Sequence, residues 1–254
     1  MPIDERSDRP IFQQIADELS QRVTSGAYPP GSKLPSETEL VAEFAVTRLT
    51  VRRGLAVLAN EGLTEPQRGK GVFVREQPAV LTLRNTRFRR SDRAAGKGAL
   101  AAEAEAAGLT WSSEVLELAM VDVTGVIADV LGEDRAFVVR RRMIVGGAPT
   151  QLADSYIAAG VAVEIGLSRG ATAPGGIYGL LEQHGHLISR YREELRVRSA
   201  TPEESVALEL PLAAPVVLLV RHAIDQGGRV VEYFDSIAAG DKHRYVYEWD
   251  APPE

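Results

Sequence analysis

The sequence contains no cysteine at all, which excludes a disulfide framework, a thiolate metal site and a cysteine nucleophile, and suits a reducing compartment. It also lacks a membrane-length apolar run. The longest weakly polar stretch, Leu210 to Val220, contains two prolines and falls short of the ~20 residues a spanning helix needs. Nothing from Met1 to Arg9 has the apolar centre of a secretory signal. Positive charge is also in deficit overall. Lys and Arg number 29 against 35 Asp and Glu, a net charge of −6, so a uniformly basic nucleic-acid coat is excluded but a local basic patch is not. What is present is a hydrophobic fraction of 44% over 254 residues, enough for one large core or two ordinary ones. The chain therefore reads as soluble and cytoplasmic, with no membrane association.

After Pro10, Ile11, Ile15, Leu19 and Val23 recur at helical spacing, and the pattern ends near Gly26. Ser36 with Glu39 forms a capping box, which predicts a short second helix from Glu37 to about Phe44. Thr47 then caps a third, whose apolar positions Val51, Leu55 and Leu58 share one face, while Gly62 ends it. Two short strands follow, Leu63 to Gln67 and Val72 to Arg75, joined by the glycine-containing turn Arg68-Gly69-Lys70-Gly71. Three helices and a hairpin in this order predict a winged helix-turn-helix.

Seen end-on, the third helix places Arg48, Leu49, Arg52 and Arg53 opposite its apolar face. Arginine suits bidentate contact with guanine, and a helix N-terminus favours phosphate. From Thr47 to Arg75 six basic residues stand against two acidic ones, a local excess of positive charge within an acidic chain. A solvated charged face with surface ion pairs is the plainer explanation of such a helix taken alone. The adjacent cationic hairpin tip favours nucleic acid.

The later sequence alternates strands and helices. Strands are expected at Glu114 to Val123, Ala136 to Val145, Thr150 to Ile157, Arg190 to Ser199, Val216 to Asp225 and Arg229 to Ile237, and helices at Leu100 to Ala107, Val126 to Leu131, Ile177 to His184 and Pro202 to Leu208. Gly146-Gly147 and Gln226-Gly227-Gly228 favour antiparallel hairpins. The whole is α+β. The domains are expected at 1–77 and 78–254 with a linker near 76–83, and the basic segment Leu83 to Gly98 reads as linker or exposed start of the second domain. His184 and His186 lack convincing companion ligands, so a solvated turn is favoured over a metal site. No nucleotide fingerprint, P-loop or serine-nucleophile elbow is present, so neither metal nor cofactor is expected.

Phe12-Gln13-Gln14-Ile15-Ala16, Leu34-Pro35-Ser36-Glu37, Val51-Arg52-Arg53, Leu58-Ala59-Asn60-Glu61-Gly62-Leu63 and Arg68-Gly69-Lys70-Gly71-Val72-Phe73-Val74 resemble the DNA-binding domain of the GntR family of bacterial transcriptional regulators. The resemblance implies DNA contacts from Ser36, Glu37 and Thr38, from Thr47, Arg48, Thr50 and Arg52, and from Arg68, Gly69 and Lys70. Ala45 replaces a customary Gly and Gly54 a customary Ala, which is expected to alter the turn and weaken the third helix. Residues 81 to 248 resemble the UTRA-type effector domain of the HutC branch, an antiparallel-sheet domain of chorismate-lyase-like fold, through stretches such as Thr86-Arg87-Phe88, Ser155-Tyr156 and Ile177-Tyr178-Gly179. That implies a small-molecule effector held by Arg87, Phe88, Arg141, Tyr156, Tyr178 and Glu232, and a homodimer on a two-half-site DNA operator, most often as a repressor.

Departures from the pattern narrow the effector. Relatives sensing phosphorylated sugars carry a second arginine where Met143 stands, a Ser at Gly176, a Tyr at Ala238 and commonly an acid at Ala153. Losing such charge-assisted bonds forfeits ~1.5 to 3 kcal/mol each, so the effector is expected not to be a phosphorylated sugar. The alternative class is a small-molecule enzyme or carrier with an N-terminal interaction module, since fold alone does not fix function.

Overall fold

The computed structural model describes residues 4, 7–75, 80–89, 91, 98–170, 173 and 175–251. The chain divides into two compact units, Met1–Gln77 and Pro78–Glu254.

In the first unit α1 (Ile11–Thr24) buries Ile15, Ala16 and Leu19, as its period requires. Pro10 is the N-cap of this helix, with an extended ψ of 141°. Helix α2 (Glu37–Phe44) begins with the Ser36–Glu39 capping box, and Thr47 accepts from the Thr50 N–H to open α3 (Arg48–Asn60). Gly62, at φ 73°, follows the end of α3, and β1 (Thr64–Gln67) pairs antiparallel with β2 (Gly71–Val74). One core holds these elements together: Ile15 and Leu19 from α1, Leu40 from α2, Val51, Leu55 and Leu58 from α3 and Val74 from β2. This is a winged helix-turn-helix.

In the second unit six long strands form an antiparallel sheet: β4 (Trp111–Asp122), β5 (Arg135–Val145), β6 (Ala148–Ala158), β7 (Ile188–Ser199), β8 (Pro215–Asp225) and β9 (Val230–Ala239). They lie in the order β4-β5-β6-β9-β8-β7. The hairpins after β5 and β8 use the expected glycines, and Asp225 Oδ1 accepts from the N–H groups of Gly227 and Arg229 at 2.9 and 3.0 Å to fix the second turn. Helices α4 (Ala99–Ala106), α5 (Gly125–Leu131), α6 (Ala159–Glu164), α7 (Gly176–Gln183) and α8 (Pro202–Ala207) complete the α+β unit.

A separate pair, β3 (Leu81–Arg84) and β10 (His243–Val246), runs parallel, with Leu81 opposite His243. The linker expectation is corrected: Leu81 and Leu83 are buried in a strand of the second unit, because they alternate with Thr82 and Arg84 and find a partner 162 residues away. Residues 85–88 continue as a 3-10 turn with Arg87 buried, so this stretch is neither linker nor an exposed start. The rest of the basic segment, 90 and 92–97, and the linker core at 76–79 lie outside the described residues. None of the helices among the described residues is long and apolar enough to cross a membrane.

Candidate nucleic-acid interface and ligand cavity

On the first unit the apolar face of α3 is spent on the core, which leaves Arg48, Arg52 and Arg53 exposed. The side chains of Arg48 and Arg52 are 71% and 68% accessible. Glu37, from the first turn of α2, reaches both: Arg48 Nε lies 2.6 Å and Arg52 Nε 3.6 Å from its two oxygens. In so exposed a setting these pairs contribute little stability, ~0 to 1 kcal/mol, but they gather the two guanidiniums beside the start of α3. Thr47 and Thr50 share a hydroxyl contact of 2.8 Å at the same end, and Ser36 caps α2 while Thr38 is exposed next to it. The α2–α3 turn passes through Ala45 in the left-handed region at φ 54°, so the customary glycine geometry is kept by a residue that does not favour it.

Arg68, Gly69 and Lys70 form the exposed hairpin tip, with Gly69 at φ 76°. Lys33 makes an antiparallel bridge with Phe73, and a Cβ on Gly71 would lie 2.7 Å from its Cε. The site thus includes another cation at the base of the wing, which sequence spacing did not signal because the bridge joins residues 40 apart. Within this unit the sequence-predicted DNA residues fall in three neighbouring groups: the start of α2, the start of α3 and the wing tip.

The second unit contains a cavity of about 350 Å³. Its walls include Leu83, Arg87 and Phe88, then Arg141 and Met143 of β5, Gln151 and Ala153 of β6, Gly176 and Tyr178 of α7, Leu219 and Arg221 of β8, and Glu232 and Phe234 of β9. Five of the six expected effector residues meet there. Tyr156 does not: it lies an odd number of positions from Ala153, so the strand's period of two turns it to the opposite face, where it packs against Tyr233 at 6.3 Å. Ala238, fully buried, is likewise outside the lining.

Period two also separates the three successive arginines of β5. Arg140 pairs with Glu117 at 2.6 Å and Asp154 at 3.0 Å, and Arg142 with Glu114 at 2.6 Å, all on the face away from the cavity. Arg141 alone turns inward and donates to Ser155 Oγ at 2.7 Å. Burial holds its pKa below the usual arginine value, with Glu232 opposing and Arg221 reinforcing that shift.

Arg221 is the principal residue that sequence reasoning missed. It stacks over Phe234 at 4.1 Å and Phe88 at 4.8 Å, donates to Tyr178 Oη at 2.9 Å and lies 3.6 Å from Glu232 and 3.7 Å from Glu193. Tyr178 in turn donates to Glu232. Desolvation pushes the Tyr178 phenol well above its ordinary pKa, so it acts as a donor at neutral pH. Arg87 reaches Glu193 from the other side. The available signal was the lone arginine in the apolar run Val216 to Ile224, since a charge inside a buried strand needs partners.

His186 is no solvated turn residue: it contacts Asp225 at 3.1 Å and is 13% exposed. Among the described residues no group of His, Asp and Glu could hold a metal ion.

A winged helix-turn-helix with a cationic face and a separate cavity-bearing sheet unit define a ligand-responsive DNA-binding protein. Residues 11–74 match the family described as bacterial regulatory proteins, gntR family, and residues 106–244 match the UTRA domain. The chain belongs to the GntR family of bacterial transcriptional regulators, in the HutC branch that carries a UTRA effector domain. It is 29% identical to the HTH-type transcriptional repressor NagR of Bacillus subtilis (strain 168), over 98% of this chain and 99% of that one. It is 27% identical to the histidine utilization repressor of Pseudomonas putida, over 92% and 90%. The crystal structure of PhnF from Mycobacterium smegmatis shares the fold, with a TM-score of 0.59 at 21% identity over 94% of this chain and 100% of that one. The B. subtilis and P. putida relatives are repressors, which with the two family matches decides against the enzyme or carrier alternative: the first unit binds DNA and the second binds an effector.

Proposed function

We propose that this protein is a transcriptional repressor that binds a two-half-site operator as a homodimer and releases it when a small molecule fills the UTRA cavity. The observation that carries the reading is the pair Arg48 and Arg52, exposed and drawn together by Glu37 at the mouth of α3 beside the cationic wing. In this reading Arg48 and Arg52 reach base edges, Ser36, Thr38, Thr47, Thr50 and the wing residues Arg68, Gly69 and Lys70 grip phosphate and groove, and Glu37 orders the arginines. The full-length names of the B. subtilis and P. putida relatives support the repressor role.

Operator half-sites have fixed helical spacing, so a ligand that prefers an arrangement of the two heads off that spacing lowers affinity. A ligand binding both arrangements equally would shift nothing. The effector is not a phosphorylated sugar in this reading, because Met143, Ala153 and Gly176 supply no second cation or hydroxyl at the positions where such relatives carry one. Edge strand β4, paired only with β5 among the described residues and with Val115, Leu116 and Leu118 more than half exposed, is the surface assigned to dimerisation.

The test is a salt titration of operator binding. Arg48→Ala and Arg52→Ala are each expected to weaken specific binding by about 1–3 kcal/mol, and Lys70→Ala to lower the salt slope by about 1 with little loss of selectivity. Unchanged affinity and slope in the two arginine variants would mean that α3 is not the reading helix.

A further inference from the structure

Arg87, Arg141, Arg221 and Glu232 line the cavity together with the exposed Glu105, and Glu193 contacts Arg87 and Arg221. Four of these charges satisfy one another. Arg87 is paired with Glu193 and also donates to the Arg84 carbonyl at 2.7 Å. Arg221 faces both Glu193 and Glu232, is stacked between aromatic rings, and shares Tyr178 with Glu232. Arg141 stands outside this set. Among the described residues its one hydrogen bond is to the neutral Ser155 hydroxyl, its Nε is buried with no acceptor, and it has no ion pair. It nevertheless keeps part of its surface, and that part borders the cavity.

A guanidinium stripped of most of its water, with no carboxylate paired to it among the described residues, calls for one negative charge. Carboxylate meets that need with a planar pair of acceptors matched to the guanidinium fork. A phosphate monoester brings up to two charges and three acceptor oxygens, and Met143, Ala153 and Gly176 offer no further cation or hydroxyl to receive them. Leu83, Leu100, Met143, Leu219 and Phe234 make the remaining wall largely apolar, poorly matched to a polyhydroxylated body. A volume of about 350 Å³ is at the small end for a ligand site.

We propose that the effector is a small monocarboxylate with an apolar body, its carboxylate received by Arg141 and its body packed against Met143, Leu219 and Phe234. The proposal rests on the cavity being the effector site. It assigns Arg221, by contrast, to holding Tyr178 and Glu232 in place rather than to the ligand's charge.

The full chain is to be titrated calorimetrically and by thermal shift with benzoate, 3-phenylpropionate and hexanoate, each against its primary amide, and with phenyl phosphate and glucosamine 6-phosphate. At least one carboxylate is expected to bind at least about tenfold more tightly than its amide and than either phosphate ester. Arg141→Gln should abolish the acid-over-amide preference while operator binding persists. Binding by none of the carboxylates, equal binding of acid and amide, or preference for a phosphate ester overturns the carboxylate assignment. Ala153→Leu separates this from failure of the site: if a ligand of another class binds and Ala153→Leu excludes it, the cavity stands and only the class falls. If binding survives that filled cavity, the effector site itself is elsewhere. Should either variant misfold, the wild-type acid-to-amide ratio decides the class.

Discussion

Two small residues in the reading unit carry opposite consequences. Ala45 occupies the left-handed region, which costs an L-residue ~1–2 kcal/mol, while glycine there loses ~0.5–1 kcal/mol through its freer unfolded chain. Ala45→Gly should therefore stabilise the unit by up to about 1 kcal/mol, read as a higher urea midpoint at unchanged m-value. Gly54 looks from sequence like a weakness in α3, but a Cβ there would sit 3.0 Å from the Phe12 carbonyl oxygen and 3.1 Å from Ile15 Cγ2. Glycine is what lets α1 and α3 approach. Gly54→Ala gains ~1 kcal/mol of helix propensity against ~1–3 kcal/mol of overpacking, so a net loss of about 1 kcal/mol is expected by the same measurement. His243 is buried, holds the Ala239 carbonyl at 3.0 Å through Nδ1, and leaves Nε2 without a partner. Burial depresses its pKa below the ordinary 6.5. The unfolded chain then takes up the proton first, so the stability due to the neutral ring is complete above about pH 6.5 and is lost as pH falls through the depressed folded value. His243→Asn, which keeps a donor toward Ala239, should flatten the fall in melting temperature between pH 7 and 5. An unchanged slope would place that acid sensitivity elsewhere.

At the scale of elements, α3 and the wing were legible in advance because each carries a local signal: a cap, an apolar stripe, glycines at a tight turn. The six long strands were legible from their apolar runs and hairpin glycines, with ends displaced by a few residues. Strands β3 and β10 and helix α6 were not, since four to six residues provide too little period and the strand pair is joined only by the fold. The candidate cavity was legible in part. Arg87, Phe88, Arg141, Tyr178 and Glu232 come from resemblance, but Arg221 and Glu193 sit on strands whose facing cannot be fixed without the register, and Tyr156 lies outside the lining. The contact of α2 with α3 through Glu37 yields its own expectation. Glu37→Ala removes a negative charge near the DNA face and frees both arginines, so non-specific duplex binding should rise while the ratio of operator to non-specific affinity falls. Competition binding measures both; a rise in the ratio would show that Glu37 hinders rather than orders the reading arginines.

For the whole molecule, the proposed dimer makes operator affinity depend on β4 as well as on α3. Leu118→Glu introduces a charge on a surface that is 56% exposed in the single chain, so the monomer should keep its fold and its melting temperature to within about 0.5 kcal/mol equivalent. Sedimentation is expected to show a dimer for the native protein and a monomer for this variant, with affinity for a full operator reduced toward that for one half-site. A variant that remains dimeric would move the interface to another surface.

The parallel pairing of β3 with β10 has a mechanical consequence. Its rungs run from Leu81 opposite His243 to Val246 opposite Arg84, so tension directed along β3 loads all of them together in shear instead of peeling them singly. The 3-10 turn that follows β3 carries Arg87 into the wall of the cavity. The strand pair and part of the cavity wall are therefore built from one continuous stretch, residues 81–88.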